Sequence, residues 1–216
     1  AHLGNEGWDF NSLLPYFIKS ENNKTFIDNN LHGTNGPLHV QELNNPSVIN
    51  QCFLNACVEQ GVNLNDDING EKQPGARLSQ VTQHNGERCS VAKAYLTPNL
   101  NRANLTVLTN CHVNKINIKD KTAQGVELVK NNQVTSLIAN KDVILSAGAI
   151  NSPQVLMLSG IGPKAHLTAH NIKVEHALEG VGANLQDHLT VVPLYKSKTS
   201  KGTFGISPLG IASILK

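Results

Sequence analysis

The chain has 216 residues and a mass of 23.3 kDa, enough for one large domain or one and a half small ones. Its formal net charge is +2, from 18 basic and 16 acidic residues, which gives no strong field for nucleic acid or an anionic membrane. Five Phe, three Tyr and one Trp are too few for a base-stacking platform. No apolar run approaches the ~18 residues of a membrane-spanning helix. We therefore expect neither nucleic-acid binding nor a transmembrane segment.

The four cysteines are expected to be buried free thiols, with a disulfide as the alternative. None forms a C-x-x-C pair, which argues against a zinc knuckle or a redox dithiol. Free thiols are typical of a reducing compartment, so the expected location is the cytoplasm, with membrane association of a longer parent protein left open. The sequence starts without Met or signal-peptide features and is interpreted as an internal fragment.

Two helices are predicted in the first sixty residues. Asp9 can cap the first, whose apolar residues at 13, 14, 17 and 18 share one face. Asn45 and Pro46 predict the start of the second helix and Gly61 its end, since glycine accepts the left-handed conformation. Cys52 and Cys57 would then lie on the buried face of this second helix.

A strand over residues 78–83 is predicted next, and the dipeptide Asn85-Gly86 indicates a hairpin turn. Ser90 can cap a brief helix that Pro98 ends. From residue 105 the apolar period changes to two. This predicts an antiparallel meander of strands over residues 105–109, 113–118, 126–129 and 134–138.

Val143, Ile144 and Leu145 form a continuous apolar run, which predicts a strand over residues 143–147 that is buried on both faces. Gly148 ends it, Ser152 is placed to cap a helix with Pro153 at its first position, and Gly160 ends that helix. The start of such a helix presents unpaired N–H groups suited to a phosphate or a flavin edge. A merely structural turn is the alternative, and spacing alone does not separate the two.

No metal or catalytic motif follows from the residues themselves. A calcium-like loop starts at Asn65 but has Ala76 where a bidentate Glu is required. His166 and His170 share a helix face without a third ligand, so ordinary surface histidines are favoured. The glycine pairs at residues 160–162 and 180–182 lack the third small residue of a dinucleotide fingerprint.

Residues 148–162, GAINSPQVLMLSGIG, resemble the second signature of the glucose–methanol–choline (GMC) oxidoreductases at every defined position. Residues 180–188, GVGANLQDH, are similar to the motif that follows it in that family. Weaker similarities at residues 7–17, 32–38 and 86–96 extend the likeness over about residues 4–195. Within the family, the choline-dehydrogenase-like alcohol dehydrogenases are the most similar group.

The resemblance implies a flavoprotein that binds FAD and oxidises an alcohol by moving a hydride to flavin N5, with a separate electron acceptor. It implies that Val113 meets the adenine through its backbone N–H and C=O, because a valine side chain offers no hydrogen bond. It also implies that Ala147, Gly148 and Asn151 line the cofactor. For Asn184, cofactor contact and a structural role in its turn are alternatives.

The fold class is expected to be α/β (mixed α+β), as part of a Rossmann-like FAD-binding domain plus part of the substrate-side domain. Residues 1–102 would form a helical and loop segment on the substrate side, 103–188 part of the FAD-binding domain, and 189–216 the start of the substrate-domain sheet. The family's G-x-G-x-x-G opening and its C-terminal histidine pair are absent from this sequence. We therefore assign no catalytic residue and expect the chain alone to be inactive and to hold no stable flavin.

Two further hypotheses compete with a fragment of an FAD-dependent alcohol or choline dehydrogenase. One is a stand-alone, non-catalytic binding module that keeps the family fold. The other is an unrelated α/β protein with a chance match to the signature.

Overall fold

The computed structural model describes residues 4–27 and 29–192. The predicted substrate-domain sheet at 189–216 lies mostly outside these ranges, and residues 189–192 form no strand. The chain contains two compact units, and the division falls between Thr106 and Val107. Helices and strands mix in both units, as expected for an α/β (mixed α+β) chain.

The first unit opens with helix α1, Phe10–Ser20. Asp9 caps it as predicted, because its Oδ1 accepts the Ser12 N–H at 3.0 Å. Strand β1, Glu21–Asn23, follows directly and pairs in parallel with β2, Leu38–Val40. The loop between them passes close to the end of α1, where a Cβ on Gly33 would lie 1.8 Å from the Ile18 carbonyl oxygen.

Helix α2, Val48–Glu59, begins later than predicted. Ser47 is its N-cap, whereas Asn45 has a φ of 54° and belongs to the preceding turn. Gly61 ends the helix as predicted, and the Val62 N–H closes the last turn on the Cys57 carbonyl at 2.9 Å. The expectation of a buried cysteine face was wrong, since Cys52 is exposed and Cys57 only half-buried. Of the four free cysteines only Cys89 is buried.

The predicted hairpin is present as β3, Gln83–His84, and β4, Glu87–Arg88. Asn85 and Gly86 form its turn with φ values of 51° and 77°. The strand predicted over 78–83 was wrong, because before Gln83 only Val81 pairs, as an isolated bridge to Gln41. After the hairpin, Ser90 Oγ accepts the Lys93 N–H at 3.2 Å and starts a π-helical turn, Ala92–Leu96. A 3₁₀ turn, Thr97–Asn99, follows.

A polar cluster lies inside this unit and was not predicted. His32 is only 8% exposed, and its two ring nitrogens face carboxylates. Nδ1 lies 3.0 Å from Glu21 Oε2, and Nε2 lies 3.0 Å from Asp67 Oδ2. Buried Asn23 donates to Glu21 Oε1 at 2.9 Å and to Gln80 Oε1 at 2.9 Å. The cluster therefore connects β1 to two loops that are distant in sequence.

The second unit is built on a three-stranded antiparallel sheet in the order β5-β6-β7. The strands are β5, His112–Lys119; β6, Thr122–Lys130; and β7, Gln133–Ile138. Both connections are two-residue turns, Asp120-Lys121 and Asn131-Asn132, with every φ between 50° and 61°. The meander is thus confirmed over these strands, but the strand expected at 105–109 is absent from the structure.

The β5–β6 pairing contains an irregularity next to the start of β5. Val113 lies opposite Leu128 and Lys115 lies opposite Glu127, so Asn114 is an extra residue on β5. This is a β-bulge, and Asn114 Nδ2 donates to Glu127 Oε1 at 3.2 Å across it.

Helix α3, Gly148–Leu158, packs on β5. Beyond it, β8, Ile161–Gly162, pairs in parallel with β9, His176–Ala177, and α4, Lys164–Ala169, connects them. The buried apolar side chains of the unit come from the sheet and both helices: Ile116, Leu128, Val155 and Leu167.

The buried strand expected at residues 143–147 was wrong. Among residues 4–27 and 29–192 no strand pairs with this run, and Ile144 is 86% exposed. An apolar run shows that its side chains favour burial, but a β-strand forms only where a neighbouring strand offers backbone hydrogen bonds.

Candidate functional site

The start of α3 is open at its N-terminus. Its N-cap is Ala147, and no side chain of the residues that the structure describes hydrogen-bonds to cap the helix. The first N–H groups of a helix have no partner within the helix, so an uncapped start offers donors and a partial positive charge. Gly148, the first residue of α3, has a φ of 86°, and a Cβ placed on it would meet nothing within 4 Å. A ligand can therefore approach this backbone closely.

Ser152 does not start the helix as predicted. The helix begins at Gly148, so Pro153 lies inside it and removes only a hydrogen bond to the Ala149 carbonyl. Ser152 Oγ instead accepts the Ala147 N–H at 3.1 Å. This bond fastens the residue before α3 to the second turn of the helix and fixes the conformation of the opening.

Ser159 joins the other end of α3 to β5. Its hydroxyl donates to the Val155 carbonyl at 2.5 Å and accepts the Ile116 N–H at 2.8 Å. Ser159 is buried, and β5 is an edge strand among the strands of the described residues, so the hydroxyl satisfies an N–H that does not face β6. Neither this bond nor the role of Ser152 has a sequence signal, because both depend on pairing and helix placement.

Val113 lies near the start of the same edge strand. It pairs with Leu128 and precedes the bulge residue Asn114. Its side chain is 36% exposed. Because β5 pairs with one strand only in the described part of the chain, part of its main chain there faces away from the sheet and is available for backbone hydrogen bonds.

The turn at residues 180–184 lies against α3. A Cβ on Gly182 would lie 3.7 Å from Pro153 Cβ and 3.5 Å from Met157 Cε. Asn184 is exposed and has a φ of 55°. The structure thus brings Ala147, Gly148 and Asn151 together at the start of α3 and places the turn of Asn184 on that helix. Val113 is connected to them through β5 and the Ser159 bridge.

A family model described as GMC oxidoreductase matches residues 1–190. The chain belongs to the GMC oxidoreductase family. It is 38% identical over 216 residues to an alcohol dehydrogenase [acceptor] from Pseudomonas putida, covering 98% of this chain and 39% of that protein. It is 43% identical over 191 residues to an oxygen-dependent choline dehydrogenase from Brucella ovis, covering 88% of this chain and 34% of the relative. This GMC chain therefore spans little more than a third of the curated relatives it matches.

Solved structures agree with the family. An FAD-dependent oxidoreductase from Chaetomium thermophilum is 31% identical with a TM-score of 0.75, covering 83% of this chain and 33% of that one. A fungal aryl-alcohol oxidase is 26% identical with a TM-score of 0.77, covering 86% and 34%. Pyridoxine 4-oxidase from Mesorbium loti is 28% identical with a TM-score of 0.75, covering 82% and 35%. The GMC fold is therefore the fold of this chain.

The site residues fit a dinucleotide cofactor by their own chemistry. An uncapped helix start suits an anionic or electron-rich edge, and Gly148 leaves open the space that a side chain would fill. Within the described part of the chain, no group of three or more His, Cys, Asp or Glu side chains could hold a metal ion. No helix there is both long and apolar enough to span a bilayer.

Proposed function

We propose that this chain supplies part of the cofactor-binding surface of an FAD-dependent oxidoreductase that oxidises an alcohol, either a choline-like or another primary alcohol. The observation that carries the proposal is the uncapped, glycine-opened start of α3, in a chain that belongs to the GMC family. The names of the curated relatives, alcohol dehydrogenase [acceptor] and choline dehydrogenase, support an alcohol substrate and a separate electron acceptor.

When bound, FAD would supply the hydride-accepting atom, flavin N5. The residues of this chain would bind and orient the cofactor. Val113 offers backbone N–H and C=O groups on an edge strand to the adenine, which a valine side chain cannot contact by hydrogen bonding. Gly148 and the N–H groups of the first turn of α3 would bind the cofactor, with Ala147 and Asn151 lining it.

Asn184 is assigned a positioning role. Its left-handed conformation closes a turn whose Gly182 lies against Pro153 and Met157, so the turn supports α3 from behind its opening. No catalytic residue is assigned among the residues of this chain. We also propose that residues 1–102, 103–188 and 189–216 belong to the substrate side, the FAD-binding domain and the substrate-domain sheet, and that the protein works in the cytoplasm.

The test uses the intact protein. We expect it to purify with the visible absorbance of oxidised flavin, and to reduce a dye acceptor when a primary alcohol or choline is added. A protein that binds FAD fully but reduces the dye with none of a series of primary alcohols would contradict the proposed substrate class. A protein that takes up no FAD would contradict the proposed cofactor site.

The 216-residue chain alone is proposed to be inactive and to hold no stable flavin, because no dinucleotide fingerprint lies in its sequence. Stoichiometric flavin in the purified chain, or dye reduction by it, would refute this part.

A further inference from the structure

Two histidines are stacked face to face in the first unit. His39 is the central residue of β2, and His84 is the last residue of β3 in the hairpin. Their ring centroids are 3.8 Å apart and the planes differ by 24°. Both residues are half-buried. The stack therefore holds the hairpin Gln83–Arg88 against β2.

One atom of this stack is unusual. His39 Nδ1 is buried and has no hydrogen-bond partner among residues 4–27 and 29–192. A neutral imidazole that carries its proton on Nε2 leaves only a lone pair at Nδ1, whereas a protonated ring would place an N–H there with no acceptor. An unmade hydrogen bond from a buried charged donor is costly.

The charges around His39 also oppose a proton on its ring. His84 lies on the stacked face from β3, and Lys24 follows β1. The carboxylates of the packed elements are engaged elsewhere: Glu21 on β1 pairs with His32, and Glu87 on β4 pairs with Lys93 of the π-helical turn. Burial, His84 and Lys24, in that order, lower the pKa of His39 below its ordinary 6.5.

We propose that the His39–His84 stack is an acid-sensitive latch that holds the hairpin Gln83–Arg88 on β2 while the His39 ring is neutral and opens when that ring takes up a proton. The open form hydrates His39 Nδ1 and moves the protonated His39 ring away from His84 and Lys24. This inference is independent of the proposed flavin function.

The sign of the effect follows from proton binding. The pKa of His39 is lower in the closed form than its ordinary 6.5, so the open form binds more protons. Closure is therefore fully stabilised above about pH 6.5 and weakens as the pH falls through the interval between the ordinary and the lowered pKa.

Hydrogen–deuterium exchange of the intact protein tests the latch. After correction for intrinsic exchange, the hairpin amides should lose several-fold protection between about pH 7.5 and about pH 5.5, relative to the amides of β6. His39→Phe keeps an aromatic face but removes Nδ1, and its hairpin protection should no longer depend on pH. His166→Phe, which alters an exposed histidine of the second unit, should behave as the wild type.

Equal hairpin protection of the wild type at both pH values would overturn the proposal, and so would unchanged acid sensitivity in His39→Phe. If that variant does not fold, the NMR titration of the His39 ring in the wild type decides. A midpoint below 6.5 supports the latch, and a midpoint at or above 6.5 overturns it.

Discussion

Replacing Ser159 with Ala removes one hydroxyl from the junction of α3 and β5. The Val155 carbonyl keeps a partner, because the Ser159 N–H donates to it at 3.0 Å. The Ile116 N–H loses the acceptor that lies 2.8 Å away, in a place where Ser159 is buried. An unsatisfied buried donor costs about 1–3 kcal/mol, so we expect a loss of about 2 kcal/mol in the local stability of β5.

Native-state hydrogen exchange of the intact protein measures this loss at the strand itself. A loss of about 2 kcal/mol corresponds to an exchange rate about thirtyfold faster for the β5 amides. Ser136→Ala is the matched control. Ser136 is an exposed residue of β7, and its hydroxyl accepts only a long hydrogen bond, 3.5 Å, from Asn117 Nδ2. Equal exchange of the β5 amides in the two variants would refute the structural role given to the Ser159 hydroxyl.

Three further outcomes are expected. Gly148→Ala forces a residue with a side chain into a left-handed conformation, at a strain of about 1–2 kcal/mol. The intact protein with this substitution should therefore purify with less FAD, measured by absorbance. His32→Leu removes the imidazole between the Glu21 and Asp67 carboxylates and leaves both without this partner. Thermal unfolding should therefore show a loss of about 3 kcal/mol in the free energy of unfolding. Hydrogen bonds from the Ser12 hydroxyl and N–H lower the pKa of Asp9 below 3.8, so α1 should keep this cap above pH 3.8 and lose it, in exchange measurements, as the pH falls through the lowered pKa.

Each of these outcomes has its own control. Gly180→Ala adds a methyl group in open space at a residue without a left-handed φ. An equal FAD content in the two glycine variants would contradict the proposed role of Gly148 in binding FAD. His176→Leu changes an exposed histidine, and His32→Leu should be clearly less stable than it. Asp9→Asn keeps a capping side chain without the charge, so acid fraying of α1 identical to that of the wild type would contradict the assignment to Asp9.

Local signals in the sequence predicted some turns and helix ends. Asn85-Gly86 forms a turn, Asp9 caps α1 and Gly61 ends α2, because a positive φ or a side-chain oxygen within a few residues specifies each of them. The helix starts expected at Asn45 and Ser152 were wrong, since Ser47 caps α2 and α3 begins at Gly148. A capping residue followed by proline therefore does not by itself fix where a helix begins.

Features that depend on distant partners were not predictable. The segment 143–147 has no neighbouring strand among the described residues, and no periodicity in the sequence indicates that. His32 meets Glu21 and Asp67 across long loops, and Ser159 meets Ile116 across 43 residues. At the candidate site, the family resemblance indicated which residues to consider. The open start of α3 became visible only when Gly148, and not Pro153, proved to begin the helix.

The extra residue Asn114 has a geometric consequence for everything before it on β5. Successive side chains of a strand point to opposite faces, so Val113 and Lys115 would share a face in a regular strand; across the bulge they pair with the adjacent residues Leu128 and Glu127 and therefore face opposite sides. If β5 paired with β6 without the bulge, Asn114 would lie opposite Leu128 and Val113 would face the other side of the sheet, while Ile116 and its bond to Ser159 stayed where they are. The bulge therefore determines which face of the sheet the first residues of β5 present.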